Sequence, residues 1–164
     1  MKHLKRNLIG CILLCATAYA QSDSKFVKEA SEGGIAEVRL GELAQEKGSA
    51  QAVKDFALKM VADHSKAGDE LKDIAAKQGM TVATSPSFSY DALRTKLAVL
   101  SGASFDKAYM SAMVKDHEDA IAAFQNEADS GVDPKLKEFA AKTLPTIREH
   151  LRMAQQVASQ IAGY

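Results

Sequence analysis

The stretch Met60-Val61-Ala62-Asp63-His64 returns as Met113-Val114-Lys115-Asp116-His117, and a third acid–histidine pair, Glu149-His150, follows near the C-terminus. These pairs hold every histidine beyond His3. Imidazole nitrogen suits Zn, Cu or Fe, and a carboxylate adds charge balance. Three histidines and one acid from four helices would make a donor set for one transition-metal ion. The expected ligands are Glu37, His64, His117 and His150. The preceding acids, Asp63, Asp116 and Glu149, point about 100° away from their histidines on a helix. They would cross to a neighbouring helix and orient its imidazole, or stand solvated beside Lys59, Lys66, Lys115 and Arg152. Met60, Met113 and Met153 lie within a turn of the histidines. Thioether with imidazole suits copper, although methionine at helical spacing also fills cores. The alternative to a metal site is a buried layer in which Glu37 and the histidines only hydrogen-bond one another.

Four such residues meet only if their helices bring them level. In an antiparallel hairpin, residues equidistant from the turn share a height. Glu37 and His64 are centred between Ala50 and Gln51, and His117 and His150 between Asp133 and Pro134. One polar side chain per helix therefore converges on mid-bundle. Gly34 and Gly41 lie one turn either side of Glu37, with Ala67 and Gly68 one turn beyond His64. A mid-helix glycine costs about 1 kcal/mol against alanine, so these positions mark either close helix approach or deliberate space.

The elements themselves read as helix almost throughout. A first helix is expected over about 25–47, with Phe26, Val27, Ala30, Gly34, Glu37, Gly41 and Ala44 along one stripe. Gly48 breaks it and Ser49 caps a second, running to about 78, with Val53, Phe56, Met60, His64, Ala67 and Leu71 inward and Gly79 as its stop. "FSYDALRTKLAVL" reads as a short helix inside a long connection. A third long helix begins near Ser104 and buries Phe105, Ala108, Met113, His117, Ile121 and Phe124. Gly131 ends it, and Asp133 caps a fourth with Pro134 at its first position. That helix carries Phe139, Leu144, Ile147, His150, Leu151, Ala154 and Val157, and Pro145 should kink it. The expectation is an all-α, antiparallel four-helix bundle with a long second connection holding a short extra helix.

The N-terminus reads differently. A basic head, "MKHLKR", precedes a short apolar run and Ala18-Tyr19-Ala20, the pattern of a secretory signal peptide at 1–20, cleaved after Ala20. The bundle domain would be 21–164. Leu8-Ile9-Gly10-Cys11 offers a lipoprotein site as the alternative. The apolar run falls short of the roughly 20 residues of a spanning helix, so the mature chain is expected in the periplasm or envelope without a membrane span. Cleavage removes Cys11 and Cys15 together with Lys2, Lys5 and Arg6, leaving no thiol and a slight acidic excess from the 21 acids and 21 bases of the whole chain. Stability must then come from packing. Nothing in that balance suggests nucleic acid as partner. The mature chain has no cysteine, phosphate loop or serine elbow, so no catalytic residue is assigned.

The runs "FVKEASEGGIAEVRLGELAQEKGSAQAVKDFALKMVADHSKAGDELKDIA", "FDKAYMSAMVKDHEDAIAAFQNEA" and "LKEFAAKTLPTIREHL" carry a resemblance over nearly all of the mature chain. The chain resembles an exported, ferritin-like bacterial family of unknown function whose members are often labelled outer-membrane proteins. The resemblance implies a ferritin-like bundle and supplies no activity. Di-iron members of the ferritin-like class use Glu-x-x-His on two helices, whereas Val61, Val114 and Ile147 stand three residues before these histidines. A di-iron oxidase is therefore not expected. Nor is a barrel, since nothing alternates with strand period. Two functions remain: a metal store, buffer or sensor, or a non-catalytic envelope and stress protein whose His/Glu layer fixes helix register.

Overall fold

The structure, a computed structural model, describes residues 9–162, with side chains from Ser22 onward. Five helices follow one another: α1 (Ile9–Lys47), α2 (Gln51–Lys77), α3 (Phe88–Ala98), α4 (Gly102–Ser130) and α5 (Pro134–Ala162). No strand occurs among the described residues. The first helix starts well before the expected 25, because nothing from Cys11 to Lys25 breaks a helix. The basic head of the expected signal peptide, and the side chains of its apolar run, lie outside the described residues.

The four long helices form a ring. α1 packs on α2 and α4, and α5 on α2 and α4, while α3 lies across α1 and α4. Two polar clamps fix their directions. Asp106, near the start of α4, accepts hydrogen bonds from Ser49 N (3.0 Å), Ser49 Oγ (2.6 Å) and Ala50 N (2.8 Å) in the α1–α2 turn. At the other end Asp23 of α1 accepts from Val132 N (3.0 Å) and Asp133 N (2.7 Å) in the α4–α5 turn. The hairpin turns therefore sit at opposite ends, every neighbouring pair is antiparallel, and the connection holding α3 returns along the bundle's length.

Several local expectations hold and several change. Asp133 Oδ1 caps α5, accepting from Lys135 N (2.8 Å) and Leu136 N (3.0 Å), with Pro134 at the first position. Gly79, with φ 67°, ends α2 in the left-handed region that glycine tolerates. Ser49 does not cap α2. Ala50 occupies that position without a side-chain bond, and the carboxylate that serves the exposed N–H groups comes from Asp106 of another helix. α4 begins at Gly102 after Ser101, not near Ser104. α5 runs through Pro145, which faces solvent, where the ring does least harm to packing.

Two apolar clusters fill the ring. The upper one, toward the α1–α2 turn, packs Leu40, Phe56, Met60, Phe105, Tyr109, Met110 and Met113 with almost no exposure. Met60 and Met113 are thus core residues. The lower one gathers Phe26, Val27, Leu71, Leu136, Phe139 and Ala140, with Phe124 only half-buried against it. Ile121 and Leu151 are also half-buried rather than core. Between the two clusters lies a polar layer.

Candidate metal centre

Three helices deliver one histidine each to that layer: His64 from α2, His117 from α4 and His150 from α5. Their ring centroids stand 5.4 to 5.8 Å apart, and one ring nitrogen from each lies within 4.8 Å of the others. His117 and His150 are fully buried and His64 half-buried.

The hydrogen bonds decide which nitrogen is free. His117 Nδ1 sits 2.8 Å from the carbonyl of Met113, one turn earlier on α4. A carbonyl only accepts, so Nδ1 carries the proton and Nε2 keeps its lone pair. His150 Nε2 sits 2.8 Å from Asp63 Oδ2 across the α2–α5 interface, so its lone pair is on Nδ1. His117 Nε2, His150 Nδ1 and His64 Nε2 are all buried without a hydrogen-bond partner. Burial pushes all three imidazoles down, His64 to about 3 with help from its two histidine neighbours. Each is neutral near pH 7; His117 and His150 present an unmet acceptor, and His64 does so in the tautomer whose proton is on Nδ1. In that tautomer a single water, which donates only two hydrogen bonds, leaves one lone pair unmet, whereas a cation accepts all three. A shared ion would be held by these three nitrogens, which lie within 4.8 Å of one another and would have to close up around it.

Glu37 reaches the layer from α1 but not this triangle. Its Oε1 lies 3.7 Å from His117 Nδ1, on the edge of the ring that faces Met113, and neither of its oxygens meets a donor. Burial and the adjacent Asp116 carboxyl push Glu37 well above the usual carboxylate range. A protonated Glu37 would donate to Asp116. Asp116 in turn accepts from the Tyr90 hydroxyl of α3 at 2.5 Å.

The three acids beside the histidines part company. Asp63 orients His150 while also meeting Lys59 Nζ at 2.9 Å. Burial raises its carboxyl, and those two partners outweigh that and lower it. Asp116 faces Tyr90 and Glu37 instead of an imidazole. Glu149 is solvent-exposed in a two-pronged pair with Arg152 (2.6 and 2.8 Å). Sequence reasoning missed Tyr90, because a tyrosine in a connecting helix carries no periodic signal. It also left the roles of the two glycines near Glu37 open. Gly41 is a close-approach site, where a Cβ would meet Val61 Cγ2 at 2.8 Å and Ala57 O at 3.0 Å, while a Cβ on Gly34 would meet nothing within 4 Å. Gly34 borders a cleft of about 960 Å³ that opens below the histidines.

Fold and site together define an all-helical bundle protein with a buried three-histidine layer. The chain belongs to the family described as Domain of unknown function (DUF4142), whose model matches residues 14–157. No match is found among curated proteins. Two solved structures share the fold. A DUF305 fragment from Deinococcus radiodurans superposes with a TM-score of 0.75 at 16% identity, covering 85% of this chain and 96% of its own. A DUF305 protein from Streptomyces coelicolor, provisionally described as secreted, gives 0.74 at 13% identity over 86% and 92%. At these identities the likeness concerns the fold alone.

Proposed function

We propose that this protein is an exported, ferritin-like four-helix bundle that holds one transition-metal ion, Zn, Cu or Fe, on His64, His117 and His150, as a store, buffer or sensor. The observation that carries the reading is the convergence of three neutral imidazoles whose facing nitrogens are buried without a hydrogen-bond partner. A purely structural layer would be expected to satisfy its members, since a buried polar atom without a partner costs about 1–3 kcal/mol. Three histidine ligands leave a fourth position open on a tetrahedral ion. Asp63 holds the His150 ring, and Asp116 and Glu149 act outside the donor set. Export after cleavage at Ala20, to the periplasm or envelope, is supported by the basic head and small-residue site of the sequence, and by the description of the Streptomyces coelicolor protein as secreted. No described helix is long and apolar enough to cross a membrane.

The test is calorimetric titration of metal-free protein with Zn(II), Cu(II) and Fe(II). One ion per chain is expected, with uptake lost in the His64→Ala and His117→Ala proteins. A flat titration with helicity intact would leave only the structural layer. Mass measurement of the exported protein should find Gln21 at its N-terminus; a lipidated Cys11 would overturn that processing.

A further inference from the structure

The clamps at the two ends of the bundle have different neighbours. At the lower end Asp23 is 2% exposed, and its two oxygens accept from Val132 N at 3.0 Å and Asp133 N at 2.7 Å. A carboxylate held by two N–H donors keeps its charge. Beside it stands a second buried carboxyl, Glu127 of α4, 3% exposed, whose Oε1 has no hydrogen-bond partner. Glu127 folds over Gly131 at the start of the α4–α5 turn, where a Cβ would meet its Cδ at 2.7 Å. The charged groups that face it are Asp23 from α1, Asp133 at the head of α5 and Lys137 one turn further along α5. Asp133 is engaged in capping α5, and Lys137 Nζ donates to the Asp129 carbonyl at 3.0 Å. Two buried carboxyls side by side do not both ionise at low cost. Asp23 has its donors and Glu127 Oε1 has none, so the proton belongs on Glu127, which burial and its two acidic neighbours push up to about 7. At the upper clamp Asp106 has no such companion: the other buried acids among the described residues are Glu37, in the polar layer, and the lower pair.

We propose that Glu127 is a proton-operated latch on the lower clamp: with its proton it lets Asp23 hold the α4–α5 turn, and without it the turn is released while the upper clamp stays closed. A charge on Glu127 is set against Asp23 and Asp133 where little water screens it, and the nearest relief is to part the carboxylates. The bonds that yield are those from Val132 N and Asp133 N, which tie the turn to Asp23. The latch also sits at the rim of the cleft. Asp23 lies three residues before Phe26 and Glu127 three after Phe124, and those two rings meet at 5.0 Å in the cleft wall. Release therefore loosens the lower end of the cleft together with the turn. None of these groups belongs to the histidine layer, so the latch works with or without a metal ion.

The test is amide hydrogen exchange on the metal-free protein, read residue by residue by NMR from about pH 5.5 to about pH 8, as protection relative to an unstructured chain at the same pH. The Val132 and Asp133 amides should lose at least about tenfold in protection as pH rises, levelling off above 7, where the folded Glu127 has ionised. The Ser49 and Ala50 amides, held by Asp106, should change less than about twofold over the same range. Glu127→Gln keeps the shape without the charge and should leave Val132 and Asp133 protected at every pH. In the unsubstituted protein the Glu127 side-chain carboxyl carbon should titrate near 7, and a midpoint near the ordinary 4.5 overturns the proposal. Constant protection at Val132 and Asp133 also overturns it, since an ionised Glu127 would then relieve its charge by turning outward. An equal loss at both clamps, or an undiminished loss in Glu127→Gln, places the opening elsewhere and has the same effect.

Discussion

The two halves of the bundle are built from the same four helices and packed to different ends. Above the histidines, α4 offers Phe105, Tyr109, Met110 and Met113, all at 0% exposure, and α2 offers Phe56 and Met60 to meet them. Below, the facing positions are Ala120 and Ala123 on α4, Ala67 on α2 and Gly34 on α1, and a cleft of about 960 Å³ opens between them. Smaller side chains at these facing positions leave that space. The polar layer lies where the close-packed half ends, so His117 is held from above through the Met113 carbonyl while His64 stays reachable from below. A fixed layer and a route to it ask for opposite packing, and this chain separates them along the helix axis.

The sharpest way to break that division is at the layer itself. His117→Ala should abolish specific metal uptake by calorimetry while leaving the upper core in place. Asp63→Asn should weaken uptake only about 10–100-fold, because it acts through the His150 ring. Equal losses in the two proteins would erase the distinction between a donor and the residue that orients it.

Next come the cores. Phe56→Ala in the upper half should cost about 3–5 kcal/mol in denaturant unfolding, since a fully buried ring leaves a cavity. Phe124→Ala, half-buried beside the cleft, should cost nearer about 1–2 kcal/mol because less area leaves water. Matching values would mean that the lower half is as tightly packed as the upper one. The glycines repeat the comparison on a smaller scale. Gly41→Ala should destabilise by about 1–3 kcal/mol through overlap with Val61 and Ala57. Gly34→Ala should be neutral or stabilise by up to about 1 kcal/mol by helix propensity.

Acid and base should act at different levels of the molecule. His64 is held neutral, at about 3 against an ordinary 6.5, so stability of the metal-free protein should fall as pH drops from about 6.5 toward 3. Glu127, near the lower end of α4, is pushed up to about 7 by burial and by Asp23 and Asp133, against a smaller pull from Lys137. Its contribution is complete below about 4.5 and is lost as pH rises through 7. Glu127→Gln should therefore raise the unfolding midpoint at pH 8 and leave it nearly unchanged at pH 4. An unchanged midpoint at pH 8 would remove Glu127 from the account.

The sequence by itself determined the helices, most of their ends and the height of the polar layer. Periodicity marks an inward stripe because an α-helix repeats every 3.6 residues, and Asp133-Pro134 and Gly79 act on the backbone next to them. The level meeting of Glu37, His64, His117 and His150 followed from counting residues either side of two turns, which needs only that each hairpin be antiparallel. What counting along the chain could not reach is anything that depends on rotation about a helix axis or on the gap between helices. Glu37 shares the height of the histidines yet faces the wrong edge of His117, and Asp63 meets an imidazole where Asp116 and Glu149 do not. Asp106 caps a helix from 56 residues away, between Ala50 and itself. The cleft exists because four helices leave small residues facing one another across the axis, and no single helix carries that information. These were tertiary decisions, since a side chain's partner is set by its distance in space and the repeat along one helix says only which way it points.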